Sequence, residues 1–185
     1  MREVSVTKLL GVKLQSDLKW GENTNYICNR ASAKLWLIRR MKSIGLEPEV
    51  IIDFYTREIR SLLELAVPVW HSGLTVQQSD QIEAVQKMAV SLILNDFKSS
   101  YFVKCTLLNI EPLYLRRLTL CEHFVTRTAN SKQHSNLFQP KEKCYNTRSE
   151  PNTFIEHQCN SSRHFNSPLS FLTRTLNKII REKKK

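Results

Sequence analysis

The chain has 185 residues, enough to bury one sizeable hydrophobic core, with 41% hydrophobic residues and only four glycines. This composition favours a mainly α-helical protein over an all-β one. The formal net charge is +11, and no run of residues approaches the roughly 18 apolar residues of a membrane span, so we expect no membrane partner. The first ten residues contain no long apolar segment; we predict no signal peptide and an intracellular protein, nuclear or cytoplasmic.

The positive charge is concentrated at the two ends of the chain. Residues 1–46 hold nine Lys and Arg against three Asp and Glu, residues 47–129 hold eight against ten, and residues 130–185 hold eleven against four. Positive charge at the two ends of the chain favours polyanions as binding partners, above all nucleic acid. The alternative interpretation is that the charge only keeps the protein soluble.

The first predicted element is a short strand or hairpin arm within residues 4–14, which are rich in Val and Leu. Gly11 interrupts this run and fits a bulge or a turn. The rest of the chain offers no strong partner strand for it.

The second predicted element is a helix from Glu22 to about Ser43, because apolar residues recur at helical spacing on one face: Ile27, Ala31, Leu35 and Ile38. Trp36 and Arg40 lie one turn apart on another side of this helix. Three roles are open to this pair: packing against the rest of the protein, a cation–π pair, or a platform for a nucleobase. Packing is the expected role of a Trp on a helix.

A central helix is predicted from Pro48 to about Leu65, with Pro48 at the first helical position and Pro68 beyond the end. Its predicted buried face comprises Val50, Ile51, Phe54, Tyr55, Glu58, Leu62 and Leu65. Glu58 needs a partner if that face is buried. Trp70 follows as part of a bulky apolar plug.

Four further segments complete the predicted elements. Thr75 and Gln78 have the spacing of a capping box for a helix to about Asn95, and Ser99 or Ser100 begins a short helix to Leu108. A longer helix follows Pro112 and ends near Ala129. The terminal helix is predicted over residues 170–181, after a polar segment over residues 130–166, most of which is predicted to be a loop or a loosely attached segment.

These elements predict a mainly α fold, a bundle of about five helices with a short N-terminal β segment and a poorly ordered polar C-terminal region. We divide the chain into a hairpin-like segment (residues 1–20), a helical domain (residues 21–129) and a polar basic tail with a short terminal helix (residues 130–185).

No catalytic or metal-binding pattern is found. The aspartates lie far apart, and neither a glycine-rich phosphate loop nor an HExxH pattern occurs. The spacing of Cys144, His157, Cys159 and His164 matches no common zinc motif, and the odd, widely spaced set of five cysteines indicates reduced thiols.

Several stretches resemble the C-terminal part of reverse transcriptases from non-LTR retrotransposons of the jockey and X-element type. They occur in family order over nearly the whole chain: LLGVKLQSDLKW (9–20), KLWLIRRM (34–41), the FY…R…LLELAVPVWHSGL run, QIEAVQKMAVSLI (81–93), LLNIEPLYLRR (107–117) and RHFNSPLSFLTRTLN (163–177).

The resemblance implies a primer-grip-like hairpin over residues 1–20 and a thumb-like domain over residues 21–129 that holds a template–primer duplex or RNA. The residues that it implies for nucleic-acid binding are Lys13, Lys19, Trp20, Arg30, Lys34, Arg39 and Arg40. The family's catalytic aspartates and their Mg²⁺ belong to a palm with a Tyr/Phe-Ala-Asp-Asp motif that is not in this sequence. We therefore expect no cofactor and no polymerisation by this chain alone.

The alternative hypothesis is a helical protein-interaction module without a nucleic-acid role. Its docking surface would be the apolar plug around Trp70.

Overall fold

The computed structural model describes residues 5–131, 133–141, 154–156 and 158–183. Within these ranges the chain is mainly helical with one short N-terminal hairpin, so the predicted fold class is confirmed. None of the helices in this part of the chain combines the length and the apolar composition that crossing a membrane requires. Cys144, His157 and the last two lysines of the basic tail lie outside the described residues.

The N-terminal run folds into an antiparallel hairpin of β1 (Val6–Leu9) and β2 (Val12–Gln15). The two turn residues, Leu10 and Gly11, have φ of 47° and 89°, and a type I′ turn needs positive φ at both positions. The predicted short N-terminal β segment is therefore confirmed, and its partner strand is not drawn from the rest of the chain. The partner lies within the same run, beyond Gly11.

The helix predicted over residues 22–43 is divided into α1 (Gly21–Ser32) and α2 (Leu35–Ser43). At the junction, the Lys34 N–H donates to the Ala31 carbonyl over three residues instead of four, which tightens the turn. Both helices contact α6 (Val76–Leu94). The predicted apolar face is nevertheless buried in both parts.

The central helix consists of α3 (Pro48–Phe54), a π-helical segment (Tyr55–Arg60) and α4 (Ser61–Glu64). Its buried residues are spaced by four: Ile51, Tyr55, Ile59 and Leu63. A four-residue repeat drifts by about 40° per step on an α-helix of 3.6 residues per turn. The wider π turn takes up that drift, so these side chains stay in line.

The predicted face of the central helix is therefore partly wrong. Val50 is 49% exposed and Leu65 is 40% exposed, because the predicted spacing assumed a regular α-helix. The helix ends before Ala66, which has φ of 54°, and Pro68 lies inside the next short helix, α5 (Val67–Trp70).

The later helices follow their predicted capping signals. Thr75 and Gln78 form the predicted capping box of α6, and Ser100 caps α7 (Tyr101–Leu107). The remaining helical elements are α8 (Leu113–Ala129), α9 (Ser162–Phe165) and α10 (Pro168–Glu182), with 3₁₀ turns at His71–Gly73 and Ser135–Leu137.

Contacts divide the described chain into two compact units. The first unit is drawn from residues 5–66 and 74–116, and the second from residues 67–73 and 117–183. The predicted boundaries after residues 20 and 129 do not follow this division, since the hairpin packs on α1 and residues 67–73 contact α10. In the first unit α1, α2 and α3 pack against α6.

Candidate nucleic-acid interface

Three cationic side chains converge on the ring of Tyr26 in the first unit. Lys8 Nζ and Lys13 Nζ each lie 5.1 Å from the ring centroid, and Arg30 Cζ lies 5.5 Å from it. Arg30 Nη1 also donates a hydrogen bond of 3.1 Å to the Tyr26 hydroxyl. We call these four residues, Lys8, Lys13, Tyr26 and Arg30, the Tyr26 cluster.

Local structure brings the cluster together. The hairpin register places Lys8 directly opposite Lys13, and Tyr26 and Arg30 lie one turn apart on α1. Two hydrogen bonds fasten β2 to the start of α1. The Lys13 N–H donates to Asn23 Oδ1 at 3.1 Å, and the Glu22 N–H donates to Gln15 Oε1 at 2.9 Å.

The cluster has an excess of positive charge. A hydrogen bond from Lys8 is the main cause that lowers the pKa of Tyr26, and Arg30 adds to it. Glu22 is the one carboxylate paired with the cluster among the described residues; its Oε2 lies 3.9 Å from Lys13 Nζ, and both side chains are partly exposed. Such a pair is weak, so three cations share little compensating charge.

Two of the seven predicted binding residues, Lys13 and Arg30, lie in the Tyr26 cluster. Lys34 forms an ion pair with Glu58, which lies exposed and not on the buried face predicted for it. Lys19 Nζ lies 3.3 Å from Asp17 Oδ2 on the exposed surface. Lys19 and Lys34 therefore each have a carboxylate of their own, whereas the three cations of the Tyr26 cluster share Glu22 among the described residues.

The three remaining predicted residues differ in exposure. Trp20 is only 7% exposed, so the expectation that its ring faces a duplex is wrong. Arg39 and Arg40 lie exposed on α2, and neither has an ion-pair partner in the part of the chain that the structure describes. Trp36, for which packing was expected, is 59% exposed on the same helix.

Sequence reasoning missed two members of the cluster, Lys8 and Tyr26. A signal for Lys8 was available. A two-residue turn at Leu10 and Gly11 pairs Lys8 with Lys13. A signal for Tyr26 was also available, since it lies one turn before Arg30 on α1, but its contacts with Lys8 and Lys13 depend on how β2 docks onto α1.

Trp70 is fully buried in the second unit, where α5 contacts α10, whereas its neighbour Val69 is 43% exposed. Trp70 itself therefore does not lie on an exposed docking surface, and the alternative of a protein-interaction module stays a prediction.

The described residues contain no group of three or more His, Cys, Asp and Glu side chains arranged to hold a metal ion. The four described cysteines form no disulfide. Burial raises the pKa of Cys121 to about 12 and also raises the pKa of Cys105, so both stay protonated and poorly nucleophilic at neutral pH.

Comparisons of the chain with protein-family models, with curated proteins and with solved structures gave no match.

Proposed function

We propose that the first unit binds nucleic acid through its phosphates, as the thumb-like region of a non-LTR retrotransposon reverse transcriptase. The single observation that carries the binding proposal is the Tyr26 cluster, in which Lys8, Lys13 and Arg30 gather around one aromatic ring. The retrotransposon origin is supported by the ordered stretches of sequence resemblance.

The charges of the Tyr26 cluster favour an anionic ligand. Like charges directly opposite each other on paired strands destabilise a hairpin, and Lys8 and Lys13 occupy such a pair. An anionic ligand would turn this unfavourable arrangement into a favourable one. Phosphates spaced along a nucleic acid backbone supply several anionic groups at once, and their counterions are released on binding.

The test is an anisotropy titration of the whole chain with a labelled primer–template duplex and a labelled single-stranded RNA at several salt concentrations. We expect affinity to fall steeply with salt. In the triple variant Lys8→Gln/Lys13→Gln/Arg30→Gln, the slope of log K against log salt should decrease by about 2 to 3, since each phosphate contact contributes about 0.7 to 0.9.

The matched control is the triple variant Arg57→Gln/Lys87→Gln/Lys98→Gln, which removes the same charge from exposed positions of the first unit outside the cluster. It should retain most of the affinity and of the salt slope. Salt-insensitive binding by the unmodified chain, or equal losses in the two triple variants, would contradict the proposal.

A further inference from the structure

One side of α2 exposes an aromatic ring between two arginines. Trp36, Arg39 and Arg40 fall within an arc of about 100° on a helix of 3.6 residues per turn, and all three are exposed. The opposite side of α2 holds the buried Leu35 and Ile38 and packs toward α6. We call Trp36, Arg39 and Arg40 the Trp36 face.

The exposure of Trp36 distinguishes it from the other two tryptophans of the chain. Trp20 is 7% exposed and Trp70 is fully buried, whereas Trp36 is 59% exposed. An indole ring exposes a large apolar area to water, so burial is the favourable state for it. Among the described residues, no aromatic ring stacks on Trp36.

The charge around Trp36 restricts what can cover it. Helix α2 contains no acidic residue, and no described carboxylate pairs with Arg39 or Arg40. An apolar protein partner would have to desolvate two arginines without supplying a counter-charge. A nucleic acid strand supplies both a flat base for the indole and phosphates for the guanidinium groups.

From this combination we infer that Trp36 is a stacking platform for an unpaired nucleobase, and that the first unit therefore prefers single-stranded over duplex nucleic acid. In a duplex the base faces are covered by their stacked neighbours, so only a strand with unpaired bases can present one to the indole. This inference rests on the proposed function and names its substrate class.

Tryptophan fluorescence tests the inference directly, because Trp36 is the exposed tryptophan and the other two are buried. The whole chain is titrated with three ligands of equal length: a thymidine oligonucleotide, an abasic sugar–phosphate oligomer and a duplex. We expect quenching with the thymidine strand and little change with the abasic strand or the duplex. The thymidine strand should bind about 5- to 150-fold more tightly than the abasic one, the range typical of a stacked base.

Two variants assign the preference to the ring, with affinities read from the anisotropy of labelled strands. Trp36→Leu keeps an apolar side chain but should abolish the preference for base-bearing over abasic strands, whereas Trp36→Phe should retain part of it. The matched control Arg39→Gln/Arg40→Gln should weaken binding of both strands by the same factor.

The outcomes separate this inference from the proposed function. Equal affinity for base-bearing and abasic strands with unchanged fluorescence would overturn the stacking role while leaving phosphate binding intact. Equal quenching by the duplex would overturn the single-strand preference. The absence of binding to every strand would overturn both.

Discussion

Lys8 and Lys13 lie directly opposite each other across the β1–β2 hairpin, and both ammonium groups lie 5.1 Å from the centroid of the same ring, that of Tyr26. Each lysine gains a cation–π contact, but the two repel each other and also Arg30. This repulsion lowers the stability of the folded protein relative to a hairpin without the three clustered cations. This conflict between stability and local charge is typical of a ligand-binding surface.

The first prediction separates stability from binding at Lys8. Lys8→Thr removes the repulsion together with the cation–π contact of Lys8, places a good strand-forming residue in β1 and leaves Lys13 and Arg30 on the Tyr26 ring. We expect the free energy of unfolding to rise by about 0.2 to 1 kcal/mol, while nucleic-acid affinity falls. Urea denaturation and anisotropy measure the two effects. Lys98→Thr, outside the hairpin, should change neither; a Lys8→Thr protein that is less stable and binds unchanged would refute the prediction.

The second prediction concerns the hairpin turn. Leu10 is 91% exposed and has φ of 47°, a left-handed conformation that costs a leucine roughly 1 to 2 kcal/mol and costs asparagine less. Leu10→Asn should therefore raise the free energy of unfolding by about 1 kcal/mol. The control Leu9→Asn, at an exposed position within β1, should not stabilise the protein. Urea denaturation of the unmodified chain and of both variants measures the effect. A lower urea midpoint for Leu10→Asn than for the unmodified chain would contradict the prediction.

The third prediction concerns a buried hydrogen-bond chain in the first unit. The hydroxyl of Tyr55 donates to Gln86 Oε1, and Gln86 Nε2 donates to Tyr101 Oη at 2.8 Å and to the Glu111 carbonyl at 2.9 Å. Tyr55 and Gln86 are fully buried, and burial raises the pKa of Tyr55, so its hydroxyl remains a donor.

Tyr55→Phe leaves the buried amide oxygen of Gln86 without this donor and should lower the free energy of unfolding by about 1 to 3 kcal/mol. Tyr114→Phe is the matched control, because Tyr114 is 40% exposed and its hydroxyl can be replaced at little cost. Denaturant unfolding curves for both variants give the comparison. Equal stabilities would show that the hydrogen bond contributes nothing.

The fourth prediction concerns pH and the second unit. Burial, with a smaller effect of Arg117, lowers the pKa of His71 from 6.5 to about 4, and its ring packs edge-on against Phe171 at 5.7 Å. Because the folded-state pKa lies below the unfolded one, the unfolded chain binds more protons between about pH 6.5 and 4. Stability should therefore fall as the pH is lowered through this window.

The free energy of unfolding should fall by at most about 1.4 kcal/mol per pH unit, and by less because the His71 ring is partly exposed. The decrease should level off below about pH 4. Unfolding experiments at several pH values compare the unmodified chain with His71→Asn, in which this dependence should disappear. His123→Gln, at an exposed position, should retain it. A pH profile that His71→Asn leaves unchanged would exclude His71 as its source.

The sequence by itself determined the helical class and the helix ends that rest on short-range signals. The Thr75–Gln78 capping box, the Ser100 cap and the Pro48 start act within one helical turn, so their residues specify them without help from the rest of the chain.

Only the tertiary structure decided which large side chains are buried and which charges are paired. Trp20 is buried and Trp36 exposed, against expectation, and Lys34 pairs with Glu58, 24 positions along the chain. Lys8 and Lys13 reach the Tyr26 ring only because the hairpin docks on α1. Burial and charge pairing depend on residues distant in sequence, and the periodicity of a single helix carries no information about which distant residues will face it.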